Sequence, residues 1–89
     1  MSIAIRQATE ADLPAVLALY AQPGLDDGRV LPIERAREVF AQFARYPSYR
    51  LFVAELSGEV VGTYALLVMH NLAHQGTPSA IAEDVVVSE

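Results

Sequence analysis

The sequence predicts an α/β fold with a mainly antiparallel sheet, its elements ordered β-α-α-β-β-β. Three observations carry that expectation. Two apolar stripes at helical spacing lie between residues 10 and 45. A two-residue link, Ser57-Gly58, joins two β-prone runs and sets them as an antiparallel hairpin. The chain then closes on a third such run, Ser79 to Glu89, interrupted by the adjacent acids Glu83 and Asp84.

Taken in order, Ser2 to Arg6 alternates with Ile3 and Ile5 on one face and reads as a short strand. Thr9-Glu10-Ala11-Asp12 has the form of a capped helix start, with the Thr9 hydroxyl able to accept an amide and two acids at the positive end of the dipole. Pro14 sits late for a helix that begins at Glu10, so a cap at Asp12 is the second reading. Leu13, Val16, Leu17 and Tyr20 form the apolar stripe under either reading. Gln22 to Pro32 is punctuated as a loop, longer than the usual four to six or so residues. Pro32 opens a second helix with Ile33, Ala36, Phe40, Phe43 and Ala44 on its apolar side, and Tyr46-Pro47 stops it. Arg50 to Leu56 and Glu59 to Met69 are strands. The second is apolar on both faces from Tyr64 to Met69, which predicts a central strand sandwiched by helices. Gly62 within it predicts a bulge or a close backbone approach. His70 to Pro78 is a polar connection, after which the terminal strand returns antiparallel.

Composition narrows the function classes. With 89 residues, one core is expected, and a domain of this size buries only about 60 to 65% of its unfolded surface. Hydrophobic residues make up 53% and charged residues 19%, which excludes disorder and leans apolar for a short chain. The net charge is −5 and all 6 cations are Arg, so there is no basic stripe for nucleic acid or an anionic membrane. With no Cys there is no disulfide, thiolate metal site or thiol nucleophile, and no apolar run approaches the roughly eighteen residues of a membrane span. The expectation is a soluble, cytoplasmic protein.

Glu83 and Asp84 are the candidate chemical groups, because acids in a β-prone run are costly to bury unless they are paired or open onto a cleft. Strict alternation puts Glu83 with Ile81 and Val85, and Asp84 with Ala82 and Val86; a bulge would reset that parity, and both assignments stand. His70 and His74 are four apart, but Gly76 and Pro78 make their segment a loop, and no metal is expected there. The terminal run has no turn signal behind it, so a hydrophobic strand edge is expected to lie uncovered and the chain to be the front part of a longer domain.

These elements resemble the N-terminal half of the GNAT superfamily of acetyl-CoA-dependent N-acyltransferases, over residues 1–89. The resemblance rests on Ile5-Arg6-Gln7-Ala8-Thr9-Glu10-Ala11-Asp12-Leu13, on Phe52-Val53-Ala54-Glu55 followed by Gly58-Glu59-Val60-Val61-Gly62, and on Glu83-Asp84-Val85-Val86-Val87. It implies an acyl-CoA N-acyltransferase fold and acetyl transfer from acetyl-CoA to a primary amine of a small molecule or peptide by direct attack. Val85, Val86 and Val87 would then bind the acetyl and pantetheine arm through the backbone, as in strand addition. A bulge would turn an amide near Val85 toward the thioester oxygen. Glu83 would be the base or acceptor ligand with Asp84 as the fallback, and Arg29, His70 and Asn71 would contact the acceptor. Glu83-Asp84-Val85 also resembles the corresponding strand of glucosamine-6-phosphate N-acetyltransferases, in which both acids serve the substrate site. The family's pyrophosphate loop is expected a few residues beyond Glu89, so this piece by itself is expected to lack activity and to need a complementing C-terminal half. The rival reading is a non-enzymatic α/β interaction module that hides its terminal strand by pairing it across a homodimer.

Overall fold

The computed structural model describes residues 2–89. Strands β1 (Ile3–Gln7), β2 (Tyr49–Leu56), β3 (Glu59–Met69) and β4 (Ser79–Val87) form one antiparallel sheet in the order β1-β2-β3-β4. Helices α1 (Leu13–Tyr20) and α2 (Ile33–Gln42) lie between β1 and β2 in the chain. The element order and pairing are those expected from the sequence. At the β2–β3 link Ser57 and Gly58 have φ of 53° and 80°, the two left-handed residues that match a hairpin turn to strand twist.

Both helices cover one face of the sheet. Leu51 and Val53 of β2 stand opposite Ala65 and Thr63 of β3, and all four are buried. Leu13 and Val16 from α1 and Ala36 from α2 close over them. Each fully buried aliphatic side chain of Val or Leu size contributes about 1.5–3 kcal/mol. Thr63 is admitted to this layer because its hydroxyl donates to the Phe52 carbonyl at 2.8 Å.

The expectation that helices sandwich β3 is corrected. Among the described residues no helix lies on the opposite face, where the Phe52 and Tyr64 rings stack with centroids 5.2 Å apart. Ile3 and Ile5 on that face are 60% and 55% exposed, and Val68 and Val87 are exposed beside them. The accessible surface is accordingly 6194 Å², against about 5,100 Å² for a compact monomer of this mass. The two-faced apolar pattern of Tyr64, Leu66 and Val68 therefore marks a surface that these helices leave bare.

Two helix-face assignments also change. Leu19, outside the expected stripe, is buried, because it follows Val16 by three residues and α1 packs against β4 as well as β3. Ala44 stays exposed. The α-helix ends at Gln42, and a 3-10 turn over Phe43–Arg45 breaks the spacing that placed Ala44 on the stripe. At the other end both cap readings have a counterpart: Thr9 precedes a 3-10 turn, Glu10–Asp12, and α1 starts directly after Asp12 with Pro14 in its first turn. Gly62 meets both of its expectations. A register shift lies opposite it between Ala54 and Glu55, and a Cβ there would stand 3.3 Å from the Val86 carbonyl oxygen.

An ion pair ties the entry of α1 to the sheet. Arg6 Nη1 and Nη2 donate to the two Asp12 carboxylate oxygens at 2.7 and 2.8 Å, and its Nε donates to Glu55. Asp12 also accepts from the Thr9 N–H at 2.7 Å. The Arg6 guanidinium holds the Asp12 carboxyl well below the usual carboxylate range; burial works against this and the Thr9 bonds add to it. A carboxyl whose folded pKa is depressed contributes stability in full above its unfolded value, about 3.9, and loses it as the pH falls below that value. Asp12→Asn should therefore lower stability at pH 7 by about 1–2 kcal/mol and flatten the acid dependence of the melting temperature between about pH 4 and pH 2. Circular dichroism melts of both proteins check this, and equal acid slopes would refute it.

Candidate active site

The decisive local feature is an irregularity in β4. Its register against β3 runs Leu67↔Ile81, Leu66↔Ala82 and Ala65↔Glu83, and then resumes at Thr63↔Val86 and Gly62↔Val87. Two residues of β4, Asp84 and Val85, thus stand against the single residue Tyr64, which is a β-bulge. Asp84 has φ of 54°, the left-handed region that Asp tolerates better than most residues. The extra residue resets the parity, so Ile81, Glu83 and Val86 all belong to the helix-covered side. Of the three valines only Val86 is buried; Val85 and Val87 are 64% and 69% exposed.

The bulge separates the two acids. Glu83 borders an open cleft of about 370 Å³ between β4 and the end of α2, walled by Val39, Gln42, Phe43, Tyr46, Tyr49 and Leu67. Asp84 borders a smaller depression with Tyr20, Leu25 and Asp26. Of the two acids, Glu83 borders the roomier depression, about 370 Å³ against about 90 Å³. Burial pushes the Tyr20 phenol up to about 12, with Asp84 adding to the effect ahead of Tyr49 and Asp26. Tyr49 is raised by burial and then by Glu83, Asp84 and Tyr46. Both phenols stay protonated at neutral pH and offer hydroxyls and ring faces rather than bases.

The other expected site residues lie elsewhere. Arg29 borders a third depression with Leu17, Tyr20, Asp26, Val30, Leu31 and Pro32. His70 and Asn71 fall in the β3–β4 connection, outside the residues that line the Glu83 cleft. Asn71 closes that connection on itself, its amide nitrogen donating to the Thr77 carbonyl at 2.8 Å. Among the described residues no group of three or more His, Cys, Asp or Glu is arranged to hold a metal ion, and no helix is long and apolar enough to cross a membrane.

Sequence reasoning missed the aromatic wall. Phe43 packs against the core, as its helical spacing implies, and it also stacks on Tyr49 with centroids 4.6 Å apart, while Tyr46 meets Tyr49 edge-on at 5.8 Å. The available signal was the spacing of three between Phe43, Tyr46 and Tyr49, which runs through the helix stop into β2. Gln22 was missed as well. Its Nε2 donates to the Val87 carbonyl at 3.1 Å and its Oε1 accepts from the Glu89 N–H at 3.0 Å. Because the Ser88 N–H goes to Val61 on β3, Val87 and Glu89 present these groups on the outer edge of β4. Gln22 binds that edge as a neighbouring strand would. No sequence signal marks it.

Solved structures of the same fold include one assigned as an acetyltransferase from Agrobacterium tumefaciens strain C58, 35% identical, covering 97% of this chain and 59% of that chain with a TM-score of 0.81. A transcriptional regulator from Bacillus halodurans C-125 is 28% identical over 99% of this chain and 61% of its own, with a TM-score of 0.80. A GNAT family acetyltransferase of Staphylococcus aureus is 17% identical, with a TM-score of 0.78 over 100% of this chain and 64% of its own. The chain thus spans about three-fifths of the length of the solved structures it matches. No protein-family model and no curated protein matches it.

The Gln22 contact generates an expectation for β4. Gln22→Ala should speed hydrogen exchange at the Glu89 amide by about 2- to 10-fold, the equivalent of one exposed hydrogen bond, while the Ser88 amide, held by Val61, is unchanged. Exchange measured by NMR reads both amides, and an equal change at both would show general fraying of the strand instead.

Proposed function

We propose that this chain, which carries the fold of the N-terminal part of the GNAT acetyltransferases, forms the acceptor side and half of the coenzyme side of an enzyme that moves an acetyl group from acetyl-CoA to a primary amine. The observation that carries the reading is the bulge at Asp84 and Val85, which sets an exposed, backbone-presenting strand edge immediately beside a cleft bordered by a carboxylate.

The donor set suits a pantetheine arm. The arm carries amides that need backbone partners, and β4 is an edge strand whose Val85 and Val87 side chains are exposed and whose Val87 carbonyl faces outward. Val85 and Val87 would hold it through the main chain, while Val86, of the same parity as Ser88, turns its own groups to β3. Gln22 occupies the Val87 carbonyl, so an arm that pairs as far as Val87 has to take over that bond. Acetyl-CoA, when bound, supplies an acetyl thioester whose C–S bond breaks as the new C–N bond forms. The bulge frees an amide near Val85 from regular pairing, and a fixed N–H there would stabilise negative charge developing on the carbonyl oxygen. Glu83 would hold the acceptor ammonium and take its proton, directly or through one water, so that the nitrogen lone pair becomes available. Asp84 borders the neighbouring depression with Tyr20 and Asp26 and would take no part in holding the ammonium at Glu83.

In a polypeptide that joins this chain to the remainder of the matched fold, Glu83→Gln should lower kcat/KM for the amine by about 100-fold or more, the usual loss on removing a general base. The KM for acetyl-CoA should be little changed. Steady-state kinetics with separate variation of the two substrates reads the result, and full turnover by Glu83→Gln would remove Glu83 from the mechanism.

A further inference from the structure

We infer that the cleft beside Glu83 takes a primary monoamine carried on an aromatic or compact apolar body, an arylalkylamine, in preference to a polyamine or a phosphorylated amino sugar. The inference rests on the acetyl-transfer reading and adds the acceptor class to it.

The charge of the lining is the first argument. Among the described lining residues Glu83 alone is charged, so the cleft offers one carboxylate for one ammonium. A second or third ammonium, as in a polyamine, would lie against Val39, Phe43 or Leu67 and lose its hydration without a partner. A phosphate would meet no cation there, and Glu83 would repel it. The neighbouring acids Asp84 and Asp26 border a separate depression of about 90 Å³ beyond Tyr20, across the bulge from Glu83.

The shape and chemistry of the walls are the second argument. The Phe43 and Tyr49 rings stack at an interplanar angle of 29°, Tyr46 stands edge-on to Tyr49 at 82°, and all three line the cleft. Such a cluster packs a flat ring at centroid distances of about 4.5–7 Å and attracts a cation held within about 6 Å of a ring face. Tyr46 lines the cleft while 57% exposed, so its ring has free surface against which an entering ring could pack. The volume, about 370 Å³, lies at the small end of ordinary ligand sites, about 300–1,000 Å³. Because Tyr49 stays a neutral phenol, the wall adds no charge that would alter this preference.

The test is a set of NMR titrations of the chain with 2-phenylethylamine, 2-phenylethanol, spermidine and glucosamine 6-phosphate. Phenylethylamine should shift the signals of Glu83, Tyr46 and Tyr49 and bind about 2- to 5-fold more tightly than the uncharged alcohol, the yield of one exposed ion pair. Glu83→Gln should remove that difference, and Tyr46→Leu should weaken both aromatic ligands together. Tighter binding of spermidine or of the phosphorylated sugar, or shifts confined to Asp84 and Asp26, would overturn the inference. Failure of the two readings can be told apart in the joined polypeptide. Turnover of other amines but not of arylalkylamines sinks the acceptor class alone. Arylalkylamine binding at Glu83 with no acetyl transfer sinks the transferase reading alone.

Discussion

Every consequence of this fold descends from one constraint: both helices lie on the same face of a four-stranded antiparallel sheet. Side chains alternate along a strand, so a single covered face turns parity into burial. Leu51, Val53, Thr63 and Ala65 obey that parity and form the buried layer, whereas Phe52, Tyr64 and Val68 obey it in the opposite sense and stay at the surface. The bulge at Asp84 and Val85 is where parity is reset. It allows Glu83 and Val86 to share the helix side although they are three residues apart, one open to a cleft and the other buried.

The contacts that hold the covered face together come from far apart in the chain. Arg6 links β1, the start of α1 and the end of β2 by way of Asp12 and Glu55. Its pair with Asp12 is bidentate and stands beside the buried layer, unlike the exposed pairs Arg35–Glu38 and Arg37–Glu10, which contribute little. Gln22 performs a comparable service at the other edge, where its carboxamide satisfies the Val87 carbonyl at the end of β4 and the Glu89 N–H just beyond it, which no strand among the described residues pairs with.

The two edges of the sheet differ. β1 is short and unbroken, and its end at Gln7 borders a depression lined also by Phe43, Ala44, Tyr49 and Arg50. β4 is bulged and exposed at every residue but Val86, and it places one acid at an aromatic-walled cleft and the next beside Tyr20. Shared architecture with acetyltransferases over about three-fifths of their length establishes the scaffold. Acceptor choice is a separate matter, because it depends on side chains such as Phe43, Tyr46 and Glu83 that the scaffold merely positions.

The order of elements, the Ser57-Gly58 hairpin and the close approach at Gly62 could be read from the residues alone, because turn conformation, helical spacing and strand alternation are local properties. That β4 is not a simply buried strand was legible for the same reason: two acids inside an apolar run contradict simple burial. Which acid meets the larger cleft was not legible, since a bulge is defined by the partner strand and only pairing with Ala65 and Thr63 places it after Glu83. Arg6 with Asp12 and Glu55, Gln22 with Val87, and the Phe43–Tyr46–Tyr49 wall against Glu83 likewise join groups that no local pattern connects. Local chemistry thus determined the elements, while the side-chain partnerships that make a site awaited the folding of distant segments onto one face.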